Sequence, residues 1–299
     1  MDVSIIIVNY NTLDLTANSI NSIFKFAPEH LDFEVIVVDN GSIDGSKEYF
    51  ANDVRITYIY SEENLGFGRA NNIGIEKSDA KYVFLLNSDA YLIEDVISRF
   101  YDFMEDPENG NVACCGANVI NGNGDNAVIG GNLPTVKESI ARIGFAVFFL
   151  PYYKRYLASG IKHFKERGNL YEIGCVTGAN MFLRKSVLNE TGAFDKDFFL
   201  YYEETEMSFR FKKHGYKSFI LADSKVVHLE GSSSKKPGIN KVVERYYSQG
   251  RYLYFEKSHG KNSARLVTFI FGVQSLLFGI LKFNKIHFTR AKIIFATLR

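Results

Sequence analysis

Apolar positions in the first hundred residues fall into two alternating patterns. Ile5-Ile6-Ile7-Val8 and Val35-Ile36-Val37-Val38 are continuous apolar runs, the character of strands covered on both faces. Between them, apolar residues recur at helical spacing. The pattern predicts strands at 3–8, 34–38, 55–60 and 81–86, and helices at about 12–26, 44–51, 66–77 and 93–105. Alternation of this kind predicts an α/β fold, a mostly parallel sheet with helices on both faces. A further strand is expected near 111–119. Asn121–Asn126 and Gly130–Asn132 then read as loops. Residues 133–170 have helical character but no clear placement. Regular patterning resumes at 172–184, with a helix near 204–214 and strands near 217–221 and 225–229.

Polar clusters follow the first four strands: Asn9-Tyr10-Asn11, Asp39-Asn40-Gly41-Ser42, Glu63-Asn64-Leu65-Gly66 and Asn87-Ser88-Asp89. Ligands of open α/β sheets bind outside the carboxyl ends of the strands. Four such clusters therefore point to one shared site. Asp39 can accept from a nucleobase N–H or a ribose hydroxyl, or it can close an Asx-turn. Gly66 and Gly68 suit close backbone approach to a ligand, with Arg69 oriented at the helix start. They do not complete a dinucleotide fingerprint, because position 71 is Asn.

Asp89 lies just past a buried strand. A diphosphate leaving group gathers negative charge as its bond to a sugar breaks. A divalent cation held by carboxylate oxygen, Mg²⁺ or Mn²⁺, offsets that charge. The competing role for Asp89 is N-cap of a helix over 92–104. His228 closes an apolar strand beside the Gly231–Ser234 loop and is read as a further metal ligand, with a satisfied structural histidine as the competing role. Glu203, Glu204 and Glu206 open a helix after the aromatic run 198–202. One of them, aimed into a cleft, can take a proton from an acceptor hydroxyl. Stabilisation by the helix dipole is the plainer account of their position.

The matching segments are SIIIVNYN (4–11), VVDNGSIDG (37–45), NLGFGRANNIG (64–74), FLLNSD (84–89), VTGANMFLRK (176–185), GAFDKDFFLYYEETEMSFR (192–210) and VHLEGS (227–232). In this order they resemble the family 2 inverting glycosyltransferases of the GT-A fold, nearest the bacterial rhamnosyl- and galactofuranosyl-transferase branch. The resemblance covers about residues 3–257. It implies that Asp39 and Asn64 contact the donor nucleoside and that Asp89 and His228 bind the metal. It also implies that Glu204 is the catalytic base, that Glu203 and Glu206 bind acceptor hydroxyls or Arg210, and that Gly178 and Ala179 form the cleft wall. Asn9, Asn11, Gly66, Arg69 and Asn87 complete the expected donor site. Two positions depart from the family pattern: Asn87 replaces the first Asp of the DxD motif, and Glu stands at 204 and 206 where relatives often carry Asp.

The expected activity is transfer from a nucleotide-diphosphate sugar to a saccharide hydroxyl, on a lipid-linked glycan of cell-surface polysaccharide. A catalytically inactive nucleotide-sugar or glycan-binding protein is the alternative. A sugar-nucleotide pyrophosphorylase would need a Gly-rich basic loop after the first strand, where Asn9-Tyr10-Asn11-Thr12 stands instead.

Charge divides the chain. Residues 235–299 carry 13 Lys/Arg against 2 Asp/Glu, whereas residues 1–234 carry 22 against 32. The apolar run 266–283 lies within the basic segment. This divides a catalytic domain, 1–234, from a basic, apolar, helical tail, 235–299, expected to adsorb to an anionic membrane at its cytoplasmic face. No nucleic-acid motif accompanies the basic residues. The three cysteines form no CxxC pair, which fits a reducing compartment without structural zinc. The amino terminus reads as a buried strand, not a signal peptide.

Overall fold

The computed structural model describes residues 1–142, 165–167, 169–229 and 239–298. The 231–234 loop and most of 143–171 fall outside the described residues. The first hundred residues form β1 (Val3–Asn9), α1 (Leu13–Phe26), β2 (Phe33–Asp39), α2 (Ser46–Phe50), β3 (Thr57–Tyr60), α3 (Phe67–Lys77), β4 (Tyr82–Leu86), β5 (Ala90–Leu92) and α4 (Val96–Glu105). There follow β6 (Val112–Ile120), β7 (Gly130–Gly131), α5 (Val136–Arg142), β8 (Lys165–Arg167), β9 (Leu170–Ile173), β10 (Cys175–Val176), β11 (Asn180–Arg184), α6 (Lys185–Thr191), α7 (Glu203–Lys213) and β12 (Lys217–His228). The chain ends in α8 (Lys241–His259), α9 (Lys261–Leu281) and α10 (Lys285–Ala296).

The main sheet has the order β3-β2-β1-β4-β11-β6-β12-β9-β8, with β5 paired to β12. β1 to β4 run parallel, β6 and β12 are parallel to each other, and β11 is antiparallel between β4 and β6. The order reverses between β1 and β4, so the crevice at their carboxyl ends is the topological switch point. The sheet separates two apolar layers. One gathers Ile5, Phe84, Phe100 and Phe182 beneath α1 and α4. The other gathers Ile6, Leu85, Met181 and Met207 beneath α3 and α7.

Two expectations need correction. The helix after Asp89 starts at Val96, and its cap is Asp95, whose carboxylate accepts from Ser98 N–H at 3.0 Å. Asp89 is therefore no N-cap. The two strands expected at 217–221 and 225–229 are one strand, β12, whose register against β6 shifts between Leu221 and Lys225. The irregularity breaks the alternation and mimics a strand boundary.

The carboxy-terminal helices pack on the α/β body. Tyr254, Phe255, Ala264 and Val267 share a small core with Phe198. Lys257 bonds Asp195 at 2.8 Å and Asp197 at 2.7 Å. Within this layer α9 buries its small residues, Ala264, Thr268, Gly272, Ser275 and Gly279. A Cβ on Gly272 would overlap the Phe295 ring of α10, and one on Gly279 would press on Phe288. Val267 is buried with these small residues and Phe271 packs on the small core, but most of the large side chains of α9 point outward: Phe269 is 54% exposed, Leu277 51%, Ile280 53% and Leu281 74%.

Candidate active site

The site begins with register. β5 runs antiparallel to the end of β12, pairing His228 with Ala90, and Leu229 N–H donates to the Asp89 carbonyl at 3.0 Å. This draws two side chains from distant parts of the sequence together: His228 Nε2 lies 3.0 Å from Asp89 Oδ1. The Asn87 amide is 3.4 Å from the same imidazole nitrogen. Antiparallel pairing of β11 with β4 sets Asn180 opposite Leu86, and Asn87 N–H donates to Ala179 O at 3.1 Å. Gly178 and Ala179 thus border Asn87. The Asn180 carboxamide fixes this turn from behind by accepting from Ala117 N–H at 2.6 Å.

Glu203 and Glu204 open α7 against β10, with Thr205 4.0 Å from Cys175 Sγ. Their environments differ. Glu203 is buried beside Gly68, and among the described residues its Oε2 has no hydrogen-bond partner. Burial raises its carboxyl well above 4.5, and the Glu204 charge adds to the rise. Glu204 remains partly exposed. Burial raises its pKa as well, opposed by backbone N–H bonds from its own residue and Thr205 that favour the charged form. Burial thus favours the neutral form of both adjacent carboxyls; the Glu204 charge adds to this at Glu203, and the backbone N–H bonds at Glu204 oppose it there.

Glu206 has a different task. It is buried and accepts from Arg210 Nε at 2.9 and 3.0 Å, while Arg210 also donates to Thr191 and Gly192 carbonyls at 2.6 Å. Of the two roles expected for Glu206, the one on Arg210 is observed. It locks the turn after α6 to α7.

Asp39 is fully buried; Oδ1 accepts from Ser42 N–H at 2.9 Å and Oδ2 from the Tyr58 hydroxyl at 2.8 Å. The Asx-turn is therefore present, and burial with the Asp39 bond raises the Tyr58 phenol. Asn9 is bonded to Ser42, Thr12 and Thr16, and Asn11 accepts from Ile43 N–H. These residues shape the end of β1. Asn64 accepts from Asn40 Nδ2 at 3.0 Å and Gly66 N–H at 2.9 Å. Gly66 has φ +84°, and a Cβ there would overlap the Phe199 carbonyl, so its close approach is to the segment leading into α7. Arg69 is exposed and donates to Lys196 O at 2.7 Å. The glycine-rich loop thereby positions the Glu203–Glu204 turn.

Sequence reading missed Tyr58 and β5. The only signal for β5 was the short apolar stretch Ala90–Ile93 after Asp89.

Among the described residues no three His, Cys, Asp or Glu side chains converge on one point. The protein offers one carboxylate, one imidazole and the Asn87 amide oxygen after a side-chain flip. That mixed oxygen and nitrogen set fits a small divalent cation. The 3.0 Å between Asp89 Oδ1 and His228 Nε2 matches adjacent ligands each about 2.1 Å from such an ion.

Known proteins resemble this chain in sequence and in fold. A hexosyltransferase of low-salt glycan biosynthesis, Agl10 of Haloferax volcanii, is 28% identical over 216 residues, 71% of this chain and 62% of that one. The chain spans 15%, 41% and 62% of the length of three curated relatives that it matches. Among solved structures, the mannosyltransferase PcManGT of Pyrobaculum calidifontis, in complex with GDP-Man and Mn²⁺, superposes with a TM-score of 0.59 at 13% identity, over 99% of this chain and 85% of that one. TarS 1–349 of S. aureus gives 0.56 at 15% identity, over 94% and 73%. These likenesses establish the GT-A-type fold. The model of glycosyl transferase family group 2 matches residues 140–285. The model of glycosyl transferase family 2 matches residues 4–192, more than half of the chain, which therefore belongs to that family.

Proposed function

We propose that the chain transfers a sugar from a nucleotide-diphosphate donor to a hydroxyl of a lipid-linked saccharide, with inversion. The carrying observation is the Asp89–His228 pair at the switch-point end of the sheet. The acceptor oxygen attacks the anomeric carbon opposite the diphosphate, and its proton passes to the Glu204 carboxylate. The bond from that carbon to the diphosphate breaks, and its electron pair leaves with the diphosphate. Glu203, protonated, places no second charge beside the base. Asp89 and His228 would hold Mg²⁺ or Mn²⁺, with donor diphosphate oxygens filling other positions. Such an ion, when bound, supplies positive charge to the leaving group. The Mn²⁺ in PcManGT supports this reading. Gly178 and Ala179 form the wall beside Asn87. Asp39 and Asn64 lie at the nucleoside side, where each carboxylate or amide oxygen retains acceptor capacity.

The outward apolar face of α9 supports peripheral association with the cytoplasmic face of a membrane, where nucleotide-sugars are at hand. α9 is long and apolar enough to cross a membrane. Its contacts with α8 and α10 instead favour an in-plane position. The basic, apolar tail at 235–299 is then a membrane-facing layer of the enzyme.

The test is turnover of a nucleotide-sugar panel with Mn²⁺ and a soluble saccharide. Chelation should stop product formation, and Asp89→Ala should lower it about 10²-fold. Binding without turnover across the panel would instead identify an inactive nucleotide-sugar-binding protein.

A further inference from the structure

A cleft of about 330 Å³ lies between α8, α9 and α10, apart from the Asp89–His228 pair. Its walls include Glu244, Tyr247 and Arg251 of α8, Phe278 of α9, and His287 and Arg290 of α10. Two guanidinium groups and an imidazole thus line the cleft together with one carboxylate. Arg290 Nε is 2.8 Å from Glu244 Oε2, which orients the guanidinium. Arg251 is buried with its guanidinium 4.1 Å over the Phe271 ring, where lost hydration strengthens its attraction for an anion. Planar guanidinium forks suit phosphate oxygens.

The cleft connects two surfaces of different character. At one side is Phe278, itself part of the outward apolar face of α9. At the other is Tyr247, whose ring centroid is 5.3 Å from Tyr202 and whose hydroxyl accepts from Tyr202 at 3.4 Å. Tyr202 immediately precedes Glu203 and Glu204. A ligand seated here would have an apolar chain toward the membrane-facing helix and its polar head near the start of the catalytic helix.

We infer that this cleft holds the phosphate ester end of the membrane lipid that carries the acceptor sugar. The inference rests on the transferase reading above and names the acceptor's carrier. A soluble saccharide makes no use of paired arginines beside an apolar helix face. The donor's diphosphate belongs at the sheet's switch point, not at this helical layer.

Calorimetry on the full chain in neutral detergent tests it, with farnesyl diphosphate as probe against inorganic pyrophosphate and farnesol. Farnesyl diphosphate should bind about tenfold more tightly than either fragment. Arg290→Gln should weaken it about tenfold, and Glu244→Gln, which removes the opposing carboxylate, should tighten it. Both side chains are partly exposed and each variant keeps the side chain's length or shape, so circular dichroism should match wild type. Equal binding of pyrophosphate would make this a free-anion site and overturn the inference. Equal binding of farnesol, or equal displacement by phosphatidylglycerol vesicles, would do the same. The readout needs no turnover: absent binding in a protein that still transfers from a nucleotide-sugar overturns this inference alone.

Discussion

Helices α4 and α9 obey opposite rules. α4 buries Val96, Ile97, Phe100 and Met104 against the sheet and turns Ser98, Arg99 and Asp102 outward or to its cap. α9 buries mostly small residues, Ala264, Thr268, Gly272, Ser275 and Gly279, with Val267, and turns most of its leucine, isoleucine and phenylalanine outward. In water the first arrangement gains from the hydrophobic effect, and the second forgoes most of it. Small residues inside and large apolar residues outside are the arrangement of helices whose surroundings are themselves apolar. The α/β layer is built for water, and the carboxy-terminal layer has the outward apolar face that the proposed membrane-surface role requires.

Substitutions can break that division. Chemistry should reside wholly in the water-built layer: Glu204→Gln is expected to lower transfer about 10³-fold, with donor affinity unchanged in calorimetry. Truncating a large side chain should matter to folding in one layer only. Phe100→Ala should cost about 3–4 kcal/mol in urea titration, whereas Leu277→Ala should stay within about 0.5 kcal/mol. The double variant Leu277→Asp, Ile280→Asp should abolish co-sedimentation with phosphatidylglycerol vesicles at low salt while transfer to a soluble saccharide persists. Loss of transfer along with vesicle binding would show the layers to be inseparable. The smallest effect concerns Glu203. Its folded-state pKa lies above 4.5, so the folded chain binds more protons and stability falls as pH rises from the ordinary carboxylate value toward the raised one. Glu203→Gln should remove that slope, raising the melting temperature at pH 8 and changing it little at pH 4. An unchanged pH profile would show that Glu203 is ionised in the folded protein.

The α/β body was legible because β1, β2 and β4 are largely covered on both faces and read as nearly continuous apolar runs. Short strands such as β5 and β7 carry too few residues for any periodicity. β12 was divided in two because its register shift interrupts the alternation between Leu221 and Lys225. In the site, residue type and position at a strand end pointed to Asp89 and His228, whereas the family resemblance singled out Glu204 among three neighbouring carboxylates. They could not show that Glu206 turns to Arg210 or that Gly66 makes room for the Phe199 carbonyl, since both depend on long-range packing. The tail teaches the same lesson. Thr268, Gly272, Ser275 and Gly279 look like interruptions of an apolar run, yet their spacing marks the buried face of a helix. Only contact with α10 shows which face turns inward.

The pairing of β5 with β12 also sets an order of events. His228 reaches Asp89 only when the last strand of the main sheet has docked, so a chain still growing from the ribosome lacks half of the proposed cation-binding pair until residue 228 has emerged. Any ligand that needs both side chains ignores unfinished chains and, by mass action, draws the final strand into place. Occupancy of this proposed pair would thereby report a completed sheet, ahead of the docking of α8 to α10.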